Sequence, residues 1–267
     1  MRHPRAKRPD LSTDVELAER AARAAADVLL SAYGRPPEGL GSKSSDTDLV
    51  SDADRAAERA IRDLLALERP DDGLLAEEGS HSEGGTGRRW IVDPLDGTIN
   101  FLYGFPAWAV SVALEDADGL AVGVVLDPIR DECFMAERGD SARVRAAGGE
   151  VAPLHVTDRR TLDRALVATG FSYEPIRRSA QADVVRTILP RVRDIRRAGA
   201  AALDLAWLAA GRVDAYYERG VNHWDWAAGR LLVEEAGGSI TDLPGKPPGL
   251  LAAATPALHA ALGALDP

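Results

Sequence analysis

The segment 90–101 combines an apolar, strand-like run with a compact acidic turn. It reads WIVDPLDGTINF, so Asp93 and Asp96 are separated only by a proline and a leucine. Two carboxylates this close repel each other, and bound divalent cations with oxygen ligands usually compensate such charge. Backbone N–H groups near Gly97 and Thr98 could hold an anion beside the cation. The segment therefore suggests phosphate chemistry, although in isolation it could be an ordinary acidic turn.

Composition limits the protein classes to which the chain can belong. Its 267 residues are 45% hydrophobic, which is enough for a core in one large domain or two closely packed ones. The net charge of −10 argues against direct nucleic-acid binding. The basic start has no apolar signal region, and no apolar run is long enough to cross a bilayer. We expect a cytoplasmic protein with neither a membrane nor a nucleic acid as a partner.

Several common sites are absent from the sequence. Cys133 is the only cysteine, so neither an intrachain disulfide nor a thiolate zinc cluster can form. The sequence contains no G-x-S-x-G elbow and no G-x-x-x-x-G-K-[ST] loop. Among the histidines, only His223 is a candidate for lining a site, because it lies next to the motif that contains Asp225; a structural histidine is the favoured interpretation.

The order of predicted elements divides the chain into two halves. Helical patterns cover 14–33 and 52–68, and mostly antiparallel strands follow from 90 to 137. Strands and helices alternate after residue 150, with one helix predicted over 226–236. We therefore predict an α+β half over 1–150 and an α/β half over 151–267.

Three acidic clusters lie at the end of an apolar run or at the start of a helix. They are Glu77 with Glu78, Asp93 with Asp96, and Asp225 between two tryptophans. A carboxylate in apolar surroundings needs a partner. Each cluster also has a structural alternative. The glutamates could be a solvated pair, and Asp225 could be the N-cap of the helix that follows it.

Four sequence elements resemble those of the inositol monophosphatase family. WIVDPLDGTINF is similar to the first family signature and WDWAAGRLLVEEAGG to the second. LLAEEGS resembles the Gly-Glu-Glu element, with Ala76 in place of glycine, and KSSDTDLVSDAD resembles a Lys…Val-Thr-x-x-Asp segment, with Ser51 in place of threonine. The elements occur in family order, and the likeness runs from about residue 14 to the C-terminus.

The resemblance implies a fold and an activity. The fold is a layered α-β-α-β-α sandwich of the inositol monophosphatase and fructose-1,6-bisphosphatase type. The activity is Mg²⁺-dependent, lithium-sensitive hydrolysis of a small phosphate monoester by a homodimer.

The resemblance also assigns metal ligands, motif by motif. Glu77, Asp93 and the backbone carbonyl of Leu95 would hold one Mg²⁺. Asp93, Asp96 and Asp225 would hold a second, and two or three ions are expected in each active site. In such sites one metal lowers the pKa of the attacking water and another stabilises the leaving alkoxide in an in-line displacement.

Other family roles fall on neighbouring residues. Thr98, backed by Asp54, and Glu77 would orient the attacking water and help to deprotonate it. The N–H groups of Gly97 and Thr98 would bind the phosphate, and a side chain at the glycine would block its approach.

The family positions that recognise the sugar or polyol map to Asp96, Ala201 and Glu218. Glu218 precedes Asp225 by seven residues, as the family pattern requires. A carboxylate there can accept hydrogen bonds from substrate hydroxyls; a solvated glutamate at a strand end is the alternative.

The metal-binding motifs predict the type of reaction, but they do not identify the alcohol that is released from the phosphate. Inositol 1-phosphate is the favoured substrate. Histidinol phosphate, fructose 1,6-bisphosphate, adenosine 3′,5′-bisphosphate (the substrate of a 3′(2′),5′-bisphosphate nucleotidase) and NADP are alternatives on the same scaffold. A different class of function is a protein-binding factor of the transcription machinery in which the phosphatase activity is incidental.

Overall fold

The computed structural model describes residues 12–35, 39–42 and 49–267. The basic start of the chain and residues 43–48 of the KSSDTDLVSDAD motif lie outside the described residues. None of the helices in the described part combines the length and the apolar character needed to cross a membrane.

The described chain forms seven α-helices and fifteen strands, with five consecutive strands between α3 and the second half of the chain. The helices are α1 Ser12–Ala32, α2 Asp52–Glu68, α3 Thr98–Leu102, α4 Pro175–Ile188, α5 Ala201–Ala209, α6 His223–Glu235 and α7 Pro256–Gly263. The strands are β1 Gly41–Ser42, β2 Leu49–Val50, β3 Gly73–Ala76, β4 His81–Ser82, β5 Arg89–Asp96, β6 Ala109–Asp116, β7 Gly119–Asp127, β8 Glu132–Glu137, β9 Arg143–Arg145, β10 Val151–Pro153, β11 Leu166–Thr169, β12 Asp194–Arg196, β13 Ala215–Arg219, β14 Ser239–Leu243 and β15 Gly249–Ala253.

The first large sheet is antiparallel except at one pair of strands. Its order in the described chain is β10-β9-β8-β7-β6-β5-β3-β4, and only β3 and β5 run parallel. Side chains alternate between its faces, as the period of a strand requires. Trp90 and Val92 of β5 pack in the cluster that contains α1 and α2, whereas Ile91 packs on the opposite face against α5 and α6. Both faces of the central strands β5, β6 and β7 are therefore largely buried.

Helices α1 and α2 form a pair that covers one face of this sheet. The inner face of α1 is rich in alanine, which lets α2 and strands β6 to β8 approach closely. The apolar stripe of α2 includes Ala57, Ile61 and Leu65. Ser51 caps α2 in a capping box with Asp54, so the helix begins at Asp52, as the sequence predicts.

The second sheet is mixed and completes the layers. Its order is β12-β11-β13-β15-β14, with β11 parallel to both neighbours and the remaining pairs antiparallel. Helices α5 and α6 lie between the two sheets, and α7 and the end of α4 cover the outer face of the second sheet. The predicted layered α-β-α-β-α sandwich is confirmed.

Three helices begin earlier than the sequence patterns predict. Helix α1 begins at Ser12, whereas the pattern predicts a start at 14, and α6 begins at His223, three residues before the predicted start. Helix α4 begins at Pro175, whereas the sequence pattern predicts a start at Ser179. Proline suits the first turn of a helix because its missing N–H has no partner there in any case. The β9–β10 hairpin carries the first sheet to Pro153, just past the predicted boundary at 150. The division into halves stays a prediction.

Candidate active site

The predicted site residues meet at one cavity of about 360 Å³. It is lined by Glu77, Asp93, Leu95, Asp96, Gly97, Thr98, Ala201, Glu218 and Asp225, among others. Asp54 is fully buried and reaches the site through Thr98. Residues from both sheets and from the helices between them thus contribute to the same cavity.

Strands β3 and β5 deliver the first two carboxylates. The strands are parallel neighbours, with Ala76 paired to Val92, and the N–H of Glu77 donates to the carbonyl of Val92 at 3.2 Å. The next residue on each strand is an acid, so Glu77 and Asp93 emerge side by side at the same edge of the sheet.

A break in the β5–β6 register shapes the acidic turn. The pairing shifts between Asp93 and Asp96, and this irregularity bends the strand around Leu95. Asp93 Oδ1 accepts a hydrogen bond from the N–H of Leu95 at 2.9 Å. This contact fixes the first aspartate within the turn, where its side chain lines the cavity.

Asp96 is anchored by the start of α5. Its two carboxylate oxygens accept hydrogen bonds from the N–H groups of Ala201 and Ala202 at 3.2 and 2.7 Å. A helix N-terminus stabilises a negative charge at this position. Burial, with added repulsion from Glu218, still raises the pKa of Asp96 to about 7. These hydrogen bonds join the acidic turn to the start of α5, although Asp96 and Ala201 are 105 residues apart in the chain.

Asp225 lies in the first turn of α6. The N-cap of this helix is Asn222, so the alternative interpretation of Asp225 as the N-cap is wrong. Asp225 is instead the acidic partner of a capping box, and its Oδ2 accepts from the N–H of Asn222 at 2.6 Å. Burial, followed by repulsion from Glu77 and Asp96, raises the pKa of Asp225 well above its ordinary value.

The electrostatics of the cavity fit a bound cation. Burial raises the pKa of Asp93 well above its ordinary value, and repulsion from Glu77, Asp96 and Asp225 adds to the effect. In the described part of the chain, no three His, Cys, Asp or Glu side chains already form a closed metal-binding group. The four carboxylates nevertheless line one cavity, and a divalent cation would relieve their repulsion. The donors are all oxygens, which suits Mg²⁺.

Thr98 and Asp54 form a buried hydrogen-bonded pair. The Thr98 hydroxyl lies 3.2 Å from both Asp54 Oδ1 and the carbonyl oxygen of Leu95, and it can donate to either. Asp54 Oδ2 accepts from the N–H of Ser51 at 3.0 Å, so the carboxylate is held at the start of α2. The geometry suits a hydroxyl oriented by a fixed carboxylate.

Gly97 is required by the backbone as well as by the space around it. Its backbone φ angle is 90°, which residues other than glycine rarely adopt. A Cβ atom there would lie 3.0 Å from the carbonyl oxygen of Ala107 and 3.2 Å from the Cβ of Ala200. Packing against the protein therefore gives a reason for this glycine besides the approach of a phosphate.

Glu218 reaches the cavity from β13. Its carboxylate accepts a hydrogen bond from the Tyr216 hydroxyl at 2.9 Å. It also lies against Gly170, where any Cβ atom would collide with it. Burial raises the pKa of Glu218 to about 7, whereas the Tyr216 hydroxyl and the positive charge of Arg197 lower it.

The sequence patterns missed the basic part of the cavity wall. Arg177 and Arg197 both line it, together with residues 171–174. The Arg197 guanidinium lies 5.9 Å from the centre of the Phe171 ring, and Arg177 pairs with Glu174 at 2.9 Å. No motif marks these residues, because their proximity to the site depends on how the second sheet packs.

His223 does not line the cavity. Its Nε2 lies 3.6 Å from Glu115, and its ring lies 4.5 Å from the ring of Trp226, centre to centre. The structure agrees with the interpretation of His223 as a structural histidine. As the first residue of α6, it points away from the side of the helix that presents Asp225.

Comparison with known proteins identifies the family of the chain. The model of the inositol monophosphatase family matches residues 10–265. The chain belongs to this family. A Caulobacter vibrioides protein named inositol-1-monophosphatase is 42% identical over 226 residues, which cover 84% of this chain and 87% of that protein. A Pasteurella multocida protein named Nus factor SuhB is 40% identical over 233 residues, with 86% and 85% covered.

A solved relative has the same fold. The crystal structure of the extragenic suppressor protein suhB from Bartonella henselae is 38% identical and has a TM-score of 0.86. The match covers 95% of this chain and 98% of that one. The layered architecture of this family member is therefore shared along nearly its whole length.

Proposed function

We propose that this protein is a Mg²⁺-dependent phosphate monoester hydrolase with inositol 1-phosphate as its preferred substrate. Membership of the inositol monophosphatase family supports a phosphatase. The observation that carries the proposal is the meeting of four carboxylates, the Thr98 hydroxyl and the turn at Gly97 in one cavity.

The residues divide the chemistry between them. Glu77, Asp93, Asp96, Asp225 and the carbonyl of Leu95 would hold the metal. Bound Mg²⁺ would supply Lewis acidity, which favours the ionised form of a water and stabilises the leaving oxygen.

The remaining groups act on the water and the phosphate. The Thr98 hydroxyl, held by Asp54, would orient the attacking water, and Glu77 would accept its proton. The N–H groups of Gly97 and Thr98 would bind phosphate oxygens. The phosphate would thus be bound by backbone donors and would face the residues that hold the metal.

The alcohol side of the substrate is assigned to Asp96, Ala201 and Glu218. A fixed carboxylate at Glu218 suits a polyol, because it accepts hydrogen bonds from hydroxyl groups. The Caulobacter vibrioides relative named inositol-1-monophosphatase supports inositol 1-phosphate as that polyol ester.

A phosphate-release assay tests this proposal. Purified protein with Mg²⁺ is given inositol 1-phosphate, histidinol phosphate, fructose 1,6-bisphosphate and adenosine 3′,5′-bisphosphate. We expect the highest kcat/KM for inositol 1-phosphate and no release after chelation of the metal. A higher kcat/KM for another ester would identify that ester as the preferred substrate. Failure to release phosphate from any of the esters would contradict the proposed reaction.

A second candidate function is a protein-binding role in the transcription machinery. It is supported by the relatives named Nus factor SuhB, such as those from Pasteurella multocida and Escherichia coli. Binding of the purified protein to RNA polymerase and Nus factors would test it. A complex that Asp93→Asn still forms would favour a role independent of hydrolysis. The absence of any complex would argue against this candidate.

Five further expectations stay predictions. They are a homodimer, lithium inhibition, two or three Mg²⁺ ions per site, a cytoplasmic location and the absence of direct nucleic-acid binding.

A further inference from the structure

Glu58 is a buried acid that the sequence motifs do not assign. It lies one helical turn after Asp54 on α2 and is 4% exposed. Its carboxylate is held away from solvent beside the apolar stripe of the helix. Such burial is costly unless hydrogen bonds satisfy the charge.

Both carboxylate oxygens of Glu58 contact one turn of the chain. Oε2 accepts from the N–H of Glu78 at 2.6 Å, and Oε1 accepts from the N–H of Ser80 at 2.9 Å. The turn is closed by a third hydrogen bond, from the N–H of Ala76 to the carbonyl of Ser80 at 2.9 Å. This turn follows β3 directly and carries Glu77.

Glu77 is thereby fixed on both sides. Its own N–H donates to Val92 of β5, and the next residue is tied to Glu58. A carboxylate that receives two backbone N–H groups holds a turn more tightly than a neutral acceptor, because charge-assisted hydrogen bonds are stronger. The path of the chain at Glu77 therefore depends on α2 as well as on the sheet.

We propose that Glu58 is a positioning residue, which holds Glu77 where it can ligate the metal. This inference rests on the proposed metal-dependent function. Residues four apart on a helix share a face. Helix α2 thus supports the site twice, through Asp54 at Thr98 and through Glu58 at the turn of Glu77. One rigid helix sets the distance between the water-orienting hydroxyl and a metal ligand.

The test measures metal affinity directly, with Mn²⁺ as the probe and electron paramagnetic resonance as the readout. In Glu58→Gln the side chain keeps its shape, but its amide group faces one of the two N–H donors. Loss of a group that supports a metal ligand typically costs about 10-fold to 100-fold in metal affinity. We expect at least about a 10-fold loss here, with a matching rise in the Mg²⁺ concentration for half-maximal activity.

The control variant is Glu68→Gln. Glu68 is the last residue of the same helix, is partly exposed and pairs with Arg20 at 2.7 Å. The Glu68→Gln variant should bind Mn²⁺ as tightly as the unmodified protein does. Saturating Mg²⁺ should restore much of the turnover of Glu58→Gln, which a general loss of folded protein would not allow.

A folded Glu58→Gln variant whose Mn²⁺ affinity stays within about twofold of the unmodified protein would overturn the proposal. If that variant does not fold, Glu58→Asp replaces it, and unchanged affinity in that shorter side chain would equally overturn it. The proposed reaction is judged separately. Unmodified protein that binds Mn²⁺ but hydrolyses none of the four esters would contradict the reaction, while the affinity comparison would still decide the role of Glu58.

Discussion

Asp93 is the residue on which the metal site depends most, because its carboxylate is assigned to both ions. Asn at this position keeps an oxygen for the Leu95 N–H but removes the charge. We expect Asp93→Asn to lose more than about 100-fold in turnover. Its metal-free thermal stability should stay the same or rise, because one repulsive charge is gone. Circular dichroism and phosphate release measure both effects, and near-normal activity would rule out the metal assignment.

Glu218 tests the alcohol side of the cavity separately from the metal. Glu218→Gln keeps an acceptor for the Tyr216 hydroxyl but changes what the side chain offers to substrate hydroxyl groups. We expect KM for inositol 1-phosphate to rise, or preference among the esters to shift, while Mg²⁺ dependence is unchanged. The measurement is kcat/KM for each ester. An equal loss for every substrate would show that Glu218 does not recognise the alcohol.

Helix α6 is the element that carries Asp225, and it packs against the sheet with almost no clearance. A Cβ atom at Gly123 of β7 would lie 2.7 Å from the carbonyl oxygen of Ala228. On the other side of the helix, a Cβ atom at Gly229 would lie 2.6 Å from the Cβ of Leu205. The helix is thus held between the sheet and α5 by glycines on two contact surfaces.

This packing predicts the effect of one added methyl group. Gly123→Ala should destabilise the protein by about 1–3 kcal/mol through overpacking. It should also raise the Mg²⁺ requirement, because α6 must move and Asp225 moves with it. Gly85→Ala is the matched control, since nothing lies within 4 Å of its Cβ position. Thermal unfolding and Mg²⁺ titration check both variants, and equal stability of the two would contradict the tight packing.

Comparison of α2 and α6 shows which element boundaries a sequence can predict. In α2, Ser51 lies immediately before a regular apolar stripe, and the predicted start agrees with the structure. In α6 the sequence allows Asp225 as an alternative cap, but the cap is Asn222, and the Asp225 carboxylate accepts a hydrogen bond from the N–H of Asn222. Both side chains are good caps, so local preference alone does not choose between them. In the structure Asn222 caps the helix, and Asp225 lies in the cavity with the other acids.

At the scale of the molecule, the site is a meeting point of the layers. The acidic turn lies at the end of β5, Asp225 on a middle-layer helix and Glu218 on the second sheet. Local motifs identify these residues because each has a distinctive sequence context. They do not identify Arg197, whose place in the cavity wall follows from how the second sheet packs. The acidic residues of the site can thus be predicted from the sequence, whereas the shape of the cavity cannot.

The buried carboxylates also make the stability of the whole molecule depend on pH. The pKa values of Asp96 and Glu218 are raised to about 7, and those of Asp93 and Asp225 are raised well above their ordinary value. Unfolded carboxyl groups titrate near about pH 4. Between about pH 4 and about pH 7 the folded chain binds more protons than the unfolded chain, so the free energy of unfolding falls as pH rises. The stabilisation is complete below about pH 4 and is lost as pH rises through about 7.

We therefore expect the Tm of the metal-free protein to fall from pH 5 to pH 8. Mg²⁺ competes with these protons, so the rise in Tm that it causes should grow over the same range. Thermal unfolding with a chelator and with excess Mg²⁺ measures both trends. Asp93→Asn should show a shallower metal-free slope, because one titrating group is missing. A metal-free Tm that is constant or increases from pH 5 to pH 8 would show that the cavity does not hold mutually repelling carboxylates.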